Sequence, residues 1–236
     1  MGERDADELQ PTSPAADLPA FPSAFQPSPG GVPHPAVRRL SLYLRQLEAF
    51  ARAGRKTVSS RDLGRALDLG DAQVRKDLAT FGTFGQPGVG YDVTALVGKL
   101  RSIFGTDRDW PVVLVGAGNI GRALSAYKRF AEKGFHLAAA VDSSDAVAGQ
   151  KIGNLKVRPA RDLPAIVAET GARLAILAVP AENAQKVSES LVEAGVRGIL
   201  NFAPVRLKLP ERISVISVDL AGQLEQLAFQ VNLTPG

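Results

Sequence analysis

The stretch Val112-Val113-Leu114-Val115-Gly116-Ala117-Gly118-Asn119-Ile120-Gly121 constrains this chain more than any other. Its four consecutive aliphatic residues read as a strand buried on both faces, and the glycines after them fit a turn from that strand into a helix. Gly116 permits the tight bend, Gly118 lets a pyrophosphate approach the backbone, and Gly121 lets the helix pack closely on the strand. The phosphates then rest on the helix N-terminus, with Ala117, Asn119 and Ile120 completing the loop. A Gly-x-Gly-x-x-Gly run alone is weak evidence, and a glycine turn that binds nothing is the plain alternative. Here, however, helical sequence continues from Arg122 to Phe130, and Leu137-Ala138-Ala139-Ala140-Val141 reads as a second buried strand. It ends at Asp142, twenty-one residues past Gly121. A carboxylate there is placed to accept hydrogen bonds from an adenosine ribose and to repel a 2′-phosphate, which favours NAD over NADP.

Ahead of this unit the composition changes twice. Residues 1–35 hold eight of the sixteen prolines and five acidic residues against one arginine, too little apolar surface to offset the entropy of ordering, so a disordered tail is expected. From Ala36 the pattern is helical, with Leu40, Tyr43, Leu44, Leu47, Phe50 and Ala51 on one stripe, and Gly54 ends it. Ser59-Ser60-Arg61-Asp62 is a capping box opening a short helix whose inner face is Leu63, Ala66 and Leu67. A turn at Leu69-Gly70-Asp71, with Asp71 as cap, leads to a third helix through Val74, Leu78 and Phe81. Short helices joined in this way predict a helix-turn-helix.

If the third helix buries Val74 and Leu78, then Gln73, Lys76, Asp77 and Thr80 lie on its outer face with Arg75 at the edge. Glutamine and arginine can read adenine and guanine edges, and lysine holds phosphates. Residues 36–91 carry ten basic and five acidic residues, a net charge of +5 that suits a polyanionic partner. A solvated basic face on a structural bundle is the alternative. The glycine-rich run from Gly82 to Tyr91 fits a short hairpin, a wing whose tip near Gln86 and Gly88 would enter a minor groove, or else a plain connecting loop.

The residues Val58-Ser59-Ser60, Gln73-Val74-Arg75-Lys76-Asp77-Leu78, Phe81-Gly82 and Gly88-Val89-Gly90-Tyr91, followed by the dinucleotide motif, resemble the Rex family of NADH-sensing transcriptional repressors. So do Leu177-Ala178-Val179-Pro180-Ala181, Gly198-Ile199-Leu200-Asn201-Phe202-Ala203-Pro204-Val205-Arg206 and Val218-Asp219-Leu220, and the resemblance spans roughly Pro35 to Asn232. It implies an α/β protein in which an N-terminal winged helix-turn-helix domain (36–109) precedes a C-terminal Rossmann domain with a doubly wound parallel sheet (110–219). A terminal, domain-swapped helix (220–236) would make the homodimer. That dimer would bind inverted-repeat operator DNA through Ser59, Ser60, Arg61, Gln73, Arg75, Lys76, Gln86 and Gly88. It would release the DNA on binding NADH, with NAD+ a weaker competitor. The resemblance further implies that Asn201, Phe202, Ala203 and Pro204 help surround the nicotinamide together with Pro180. It also implies a cofactor-dependent contact between Tyr91 of one chain and Asp219 of the other.

The sequence agrees on its own terms. Ala172 to Val179 and Gly198 to Asn201 read as buried parallel strands, and Ile213 to Val218 as the last strand. Leu220, Leu224, Leu227, Ala228 and Val231 then fall on one stripe, which packs either on its own domain or on a partner chain. The chain has no cysteine, no apolar run long enough for a membrane span and an acidic N-terminus, as expected of a cytoplasmic protein without metal or thiol chemistry. The rival from another class is an NAD-dependent dehydrogenase with an accessory helical domain. It lacks an obvious histidine base, since His34 falls in the tail and His136 opens a strand, which leaves Lys186 or Tyr127. A CoA-binding or NAD-dependent regulatory subunit is a third reading.

Overall fold

Leu40, Tyr43, Leu44 and Leu47 are all buried, and they make the inner stripe of α1 (His34–Arg52). The computed structural model describes residues 34–82, 84–85 and 89–233, so residues 1–33 of the tail expected over 1–35, and the wing-tip residues Gln86 and Gly88, lie outside the described residues, while His34 and Pro35 belong to α1. Two units divide the chain between Gly105 and Thr106. In the first, α1 begins two residues earlier than the periodicity predicts, because Pro35 suits a first helical turn. β1 (Thr57–Val58) leads into α2 (Ser60–Ala66), where Ser59 Oγ accepts from Asp62 N at 3.0 Å and Asp62 Oδ2 accepts from Ser59 N at 3.1 Å. The capping box is therefore present, but its helix buries Leu63 and Gly64, and Ala66 is exposed. α3 (Asp71–Ala79) starts one residue earlier than read: Gly70 is the cap, and Asp71 lies inside the helix.

β2 (Tyr91–Asp92) pairs antiparallel with β1, Val58 opposite Tyr91. The strand partner of Tyr91 thus comes from before α2, and the hairpin expected over Gly82–Tyr91 falls in part on residues 83 and 86–88, outside the described residues. α4 (Val93–Phe104) was not anticipated. Asp92 Oδ1 caps it by accepting from Ala95 N at 2.7 Å, and Val93, Leu96 and Leu100 pack it against α1.

The larger correction concerns Asp77, which is 3% exposed instead of facing solvent. Three residues after Val74, it lies on the side of α3 turned towards α1. Arg39 donates to it through Nε at 2.6 Å and Nη2 at 2.8 Å, Tyr43 Oη–H at 2.8 Å and Gln73 Nε2 at 2.7 Å. Burial pushes the carboxyl pKa up, but the hydrogen bonds from Arg39, Tyr43 and Gln73 outweigh it and hold the group below its usual 3.8.

In the second unit, β3 (Trp110–Val115) is central. After it come α5 (Asn119–Ser125), α6 (Arg129–Glu132), β4 (Phe135–Asp142), β5 (Lys151–Ile152), β6 (Leu155–Pro159), α7 (Leu163–Thr170) and β7 (Leu174–Leu177). α8 (Ala181–Glu193), β8 (Gly198–Asn201), β9 (Ser214–Ser217) and α9 (Leu220–Leu233) complete it. The strand order is β5-β6-β4-β3-β7-β8-β9, all parallel except β5, which is the order of a doubly wound dinucleotide-binding sheet with one edge hairpin added. Val113 and Val115 face a core with α7 and α8, while Val112 and Leu114 face α5 and α6, so the aliphatic run is buried on both sides as read. The helix expected over Arg122–Phe130 is broken between Ser125 and Arg129; Ser125 Oγ donates back to Arg122 O at 2.7 Å and closes the turn locally. β7 is shorter than the Ala172–Val179 run. In α9 no residue is buried.

Asp77→Ala leaves Arg39 and Tyr43 facing an emptied partner and is expected to cost about 3–5 kcal/mol, read by urea unfolding followed by far-UV circular dichroism. Because the folded carboxyl titrates below 3.8, its contribution is complete above that pH and is lost as the pH falls through the lower folded value. Stability of the wild-type chain should therefore fall more steeply below pH 3.8 than that of Asp77→Asn.

Candidate dinucleotide cavity and DNA-facing helix

The sheet order reverses between β3 and β7, and ligands of such sheets bind beyond the strand ends at that point. Each of the three glycines there has a separate steric reason. Gly116 has φ +103°, and a Cβ on it would overlap Ala178 O; a Cβ on Gly121 would overlap Gly116 O. A Cβ on Gly118, in contrast, would meet nothing within 4 Å, so the space above it is open. Asp142 Oδ2 accepts from Ala117 N at 2.7 Å and Oδ1 from Ser144 N at 2.8 Å. The carboxylate thus ties the end of β4 to the glycine loop, and each oxygen keeps a lone pair for a further donor.

A cavity of about 700 Å³ opens here, lined by Gly116, Gly118, Asp142, Pro180, Asn183 and Lys186 among others. Four expected residues therefore lie on its wall. Ala117 is buried beneath, and Asn119 and Ile120 are exposed at the start of α5, whose first N–H groups have no helical acceptor. Asn201, Phe202, Ala203 and Pro204 are not among the lining residues. Asn201 is fully buried, with Oδ1 accepting from Ala203 N at 2.9 Å and Nδ2 donating to Val205 O at 2.9 Å, so its side chain holds the turn after β8. Ser143, Ser144, Arg161, Asn183 and Ser190 line the cavity and were missed. Asn183, Lys186, Val187 and Ser190 recur at spacings of three and four, a helix face that could have been read after Pro180. Arg161 carried no such signal.

In the first unit, Ala72, Arg75, Lys76, Ala79 and Thr80 make the exposed stripe of α3. Gln73 is half-buried and donates to Asp77, while Arg75 Nη1 donates to Asp71 Oδ2 at 2.7 Å and to Ser60 Oγ at 3.2 Å. The structure thereby brings together Ser60 and Arg75; Arg61 and Lys76 are exposed, and Ser59 is occupied with Asp62. The small Ala72 and Ala79, unremarked in the sequence, leave the helix backbone approachable. Tyr91 is half-buried; burial raises its phenol pKa while the charge of Arg75 draws it down. Asp219 Oδ1 accepts from Gly222 N at 2.9 Å and caps α9.

Comparison with known proteins covers both units. The family model "CoA binding domain" matches residues 107–205, and the model "Putative DNA-binding protein N-terminus" matches residues 31–79. The redox-sensing transcriptional repressor Rex of Rhodopirellula baltica is 44% identical over 84% of this chain and 83% of its own length. That of Carboxydothermus hydrogenoformans is 46% identical over 85% of this chain and 96% of its own. This chain belongs to the Rex family. A solved structure of RSP, a Rex-family repressor, in complex with β-NAD+ and operator DNA matches with a TM-score of 0.82 and 34% identity, over 85% of this chain and 93% of that one. RSP in complex with β-NADH matches with a TM-score of 0.78 and 32% identity, over 85% and 94%. The Rex-family fold expected from the sequence, a DNA-binding unit followed by a Rossmann-like unit on a parallel sheet, is the fold found.

The glycines give a paired test. Gly118→Ala should change unfolding free energy by no more than about 0.5 kcal/mol, yet weaken dinucleotide binding roughly tenfold or more in calorimetric titration, because the methyl occupies the open space. Gly121→Ala should destabilise the unit itself by about 1–3 kcal/mol.

Proposed function

We propose that this chain is a redox-sensing transcriptional repressor that, as a homodimer, holds inverted-repeat operator DNA through α3 and releases it on taking up NADH. The observation that carries the reading is the presence in one Rex-family chain of an exposed basic recognition stripe and of a glycine loop with open space above Gly118 at the switch point of a parallel sheet. The solved complex of RSP that holds operator DNA contains β-NAD+, which accords with release by the reduced form. Arg61, Arg75 and Lys76 supply the cationic contacts to phosphate and base edges, and the two α3 helices of a dimer would lie about 34–36 Å apart, one DNA turn.

Gly116, Gly118 and Asp142 would hold the pyrophosphate and adenosine ribose, with Pro180 and the turn at Asn201–Pro204 beside the nicotinamide. When bound, the dinucleotide supplies a ring that is neutral in NADH and cationic in NAD+. Asp142 is the one carboxylate among the lining residues of the cavity, and it lies at β4; near β7 the wall is Ala178, Val179 and Pro180, with Lys186 on α8. Such a wall offers no counter-charge to a cation that would lose its water, so NADH is favoured over NAD+. Preferential binding to one dimer shape then shifts the population towards it.

The dimer rests on α9. Leu220, Leu224, Leu227, Phe229, Val231 and Leu233 are more than half exposed, and an apolar cleft of about 470 Å³ lined by Phe130, Ile176, Leu200 and Ile216 lies open on the sheet. An exchanged α9 covers apolar surface that its own chain leaves bare. The contact between Tyr91 and Asp219 across that dimer remains part of the proposal, with Asp219 held at the start of α9. The dehydrogenase alternative gives way to relatives that are repressors over most of their length, although Lys186 does line the cavity. Among the described residues no helix is long and apolar enough to cross a membrane, and we place the protein in the cytoplasm.

Fluorescence anisotropy of labelled inverted-repeat duplexes should show binding that weakens with salt, release by micromolar NADH and little release by NAD+. Binding that ignores NADH would overturn the sensor reading. Leu224→Asp with Leu227→Asp should give monomers by light scattering and abolish operator binding.

A further inference from the structure

Asp71 and Arg75 are one turn apart on the exposed face of α3, and the carboxylate accepts from Arg75 Nη1 at 2.7 Å, while Ser60 Oγ of α2 accepts from the same nitrogen at 3.2 Å. A terminal guanidinium nitrogen bears two hydrogens, so these acceptors use both. The guanidinium plane is then fixed between α2 and α3, with the edge formed by Nε–H and Nη2–H left over. That edge is a two-donor fork matching O6 and N7 of guanine. The Asp71 carboxyl sits below its usual range because of the hydrogen bond from Arg75 and, among lesser causes, the charges of Arg75 and Arg61, so it is ionised near neutral pH. An ionised carboxylate at the start of the DNA-facing helix also opposes phosphate.

We propose that Asp71 is a specificity-determining residue that acts through Arg75. It holds the arginine with its Nε/Nη2 edge presented to a guanine and keeps it from collapsing onto the nearest phosphate, while its own charge lowers affinity for DNA of any sequence. The protein gives up non-specific affinity and gains discrimination. Ser60 is the second anchor of the same plane. This rests on the reading of α3 as the recognition helix.

The test uses the full-length chain without cofactor. A duplex enriched by the wild-type protein from a randomised inverted-repeat library, its three single-base variants at each position, and a scrambled duplex are titrated by anisotropy across salt. Asp71→Ala should bind the scrambled duplex about two- to fivefold more tightly at low salt, with a steeper salt dependence. Its preference for guanine over other bases at one position per half-site should fall by about two- to fivefold. Asp71→Glu should recover part of the preference. In the Arg75→Ala background, Asp71→Ala should still raise scrambled binding but leave the base preference where Arg75→Ala had put it.

A purely structural role for Asp71 at the helix start would move melting temperature and both duplexes together, and that result overturns the proposal. So does an unchanged guanine preference in Asp71→Ala, or a change that persists without Arg75. If the wild-type protein enriches no duplex at all, the DNA-binding reading itself fails, which is a different outcome from enrichment without a role for Asp71.

Discussion

Close approach of α5 to β3 sets the geometry of the second unit. Gly121 lies so near the carbonyl of Gly116 that no side chain fits between them, and Gly116 in turn lies against the carbonyl of Ala178 after β7. Three successive backbones are thereby drawn together where the sheet order reverses. Asp142 adds a polar tie from β4 to Ala117 N. The result is a loop held in place from both neighbouring strands, with Gly118 facing open space. The residues that close the turn and the residue that leaves room are distinct, and a dinucleotide loop needs both. Pre-organised in this way, the loop loses little freedom on meeting a ligand.

Much of this was legible because buried parallel strands leave long aliphatic runs. β3 and β8 follow such runs closely, and the glycine spacing located the turn. Polar residues held in the interior leave no such signal. Asp77 is charged and buried, because an arginine and a tyrosine on α1 sit opposite it. Asn201 is polar and buried, because it replaces missing backbone partners in the turn that follows β8. The break at Ser125 depends on a side-chain hydroxyl returning to its own helix, which periodicity does not register. α4 was overlooked although Asp92, the Val93–Leu96–Leu100 spacing and Gly105 at φ +65° are ordinary helix signals. The cavity wall after Pro180 was within reach as a helix face; Arg161 was not, since it lies in a three-residue turn directly after β6, too short for any periodicity.

In the first unit the energetics divide α3 lengthwise. Its inner side is anchored by Val74 and Leu78 and by the Asp77 cluster, whose three donors from α1 make it costly to shift α3 along α1. Its outer side carries only small or cationic residues and one exposed ion pair, an arrangement worth little to stability. In the proposed reading, stability and recognition therefore draw largely on opposite sides of α3. Gln73 stands between them, because one N–H is given to Asp77 while its oxygen and second N–H remain, the pair that an adenine edge would require.

α9 supplies the remaining constraint. Fourteen residues with a single charge, Glu225, make a marginal helix in water, and nothing in its own unit buries any of them. Such a segment is costly to leave uncovered. In the proposed dimer its burial drives association, and association in turn creates the paired recognition helices that a palindromic site demands. A ligand that moves a two-shape dimer from 1:99 to 99:1 must favour one shape by about 5.5 kcal/mol. Two cavities acting on a shared interface need supply only about half of that each. The charge of the ring decides which form of the dinucleotide the wall admits, whereas the shift in shape requires NADH to bind one shape more tightly than the other. In the proposed dimer that difference has to arise where the cavity meets the shared interface, because a ligand held equally by both shapes shifts neither.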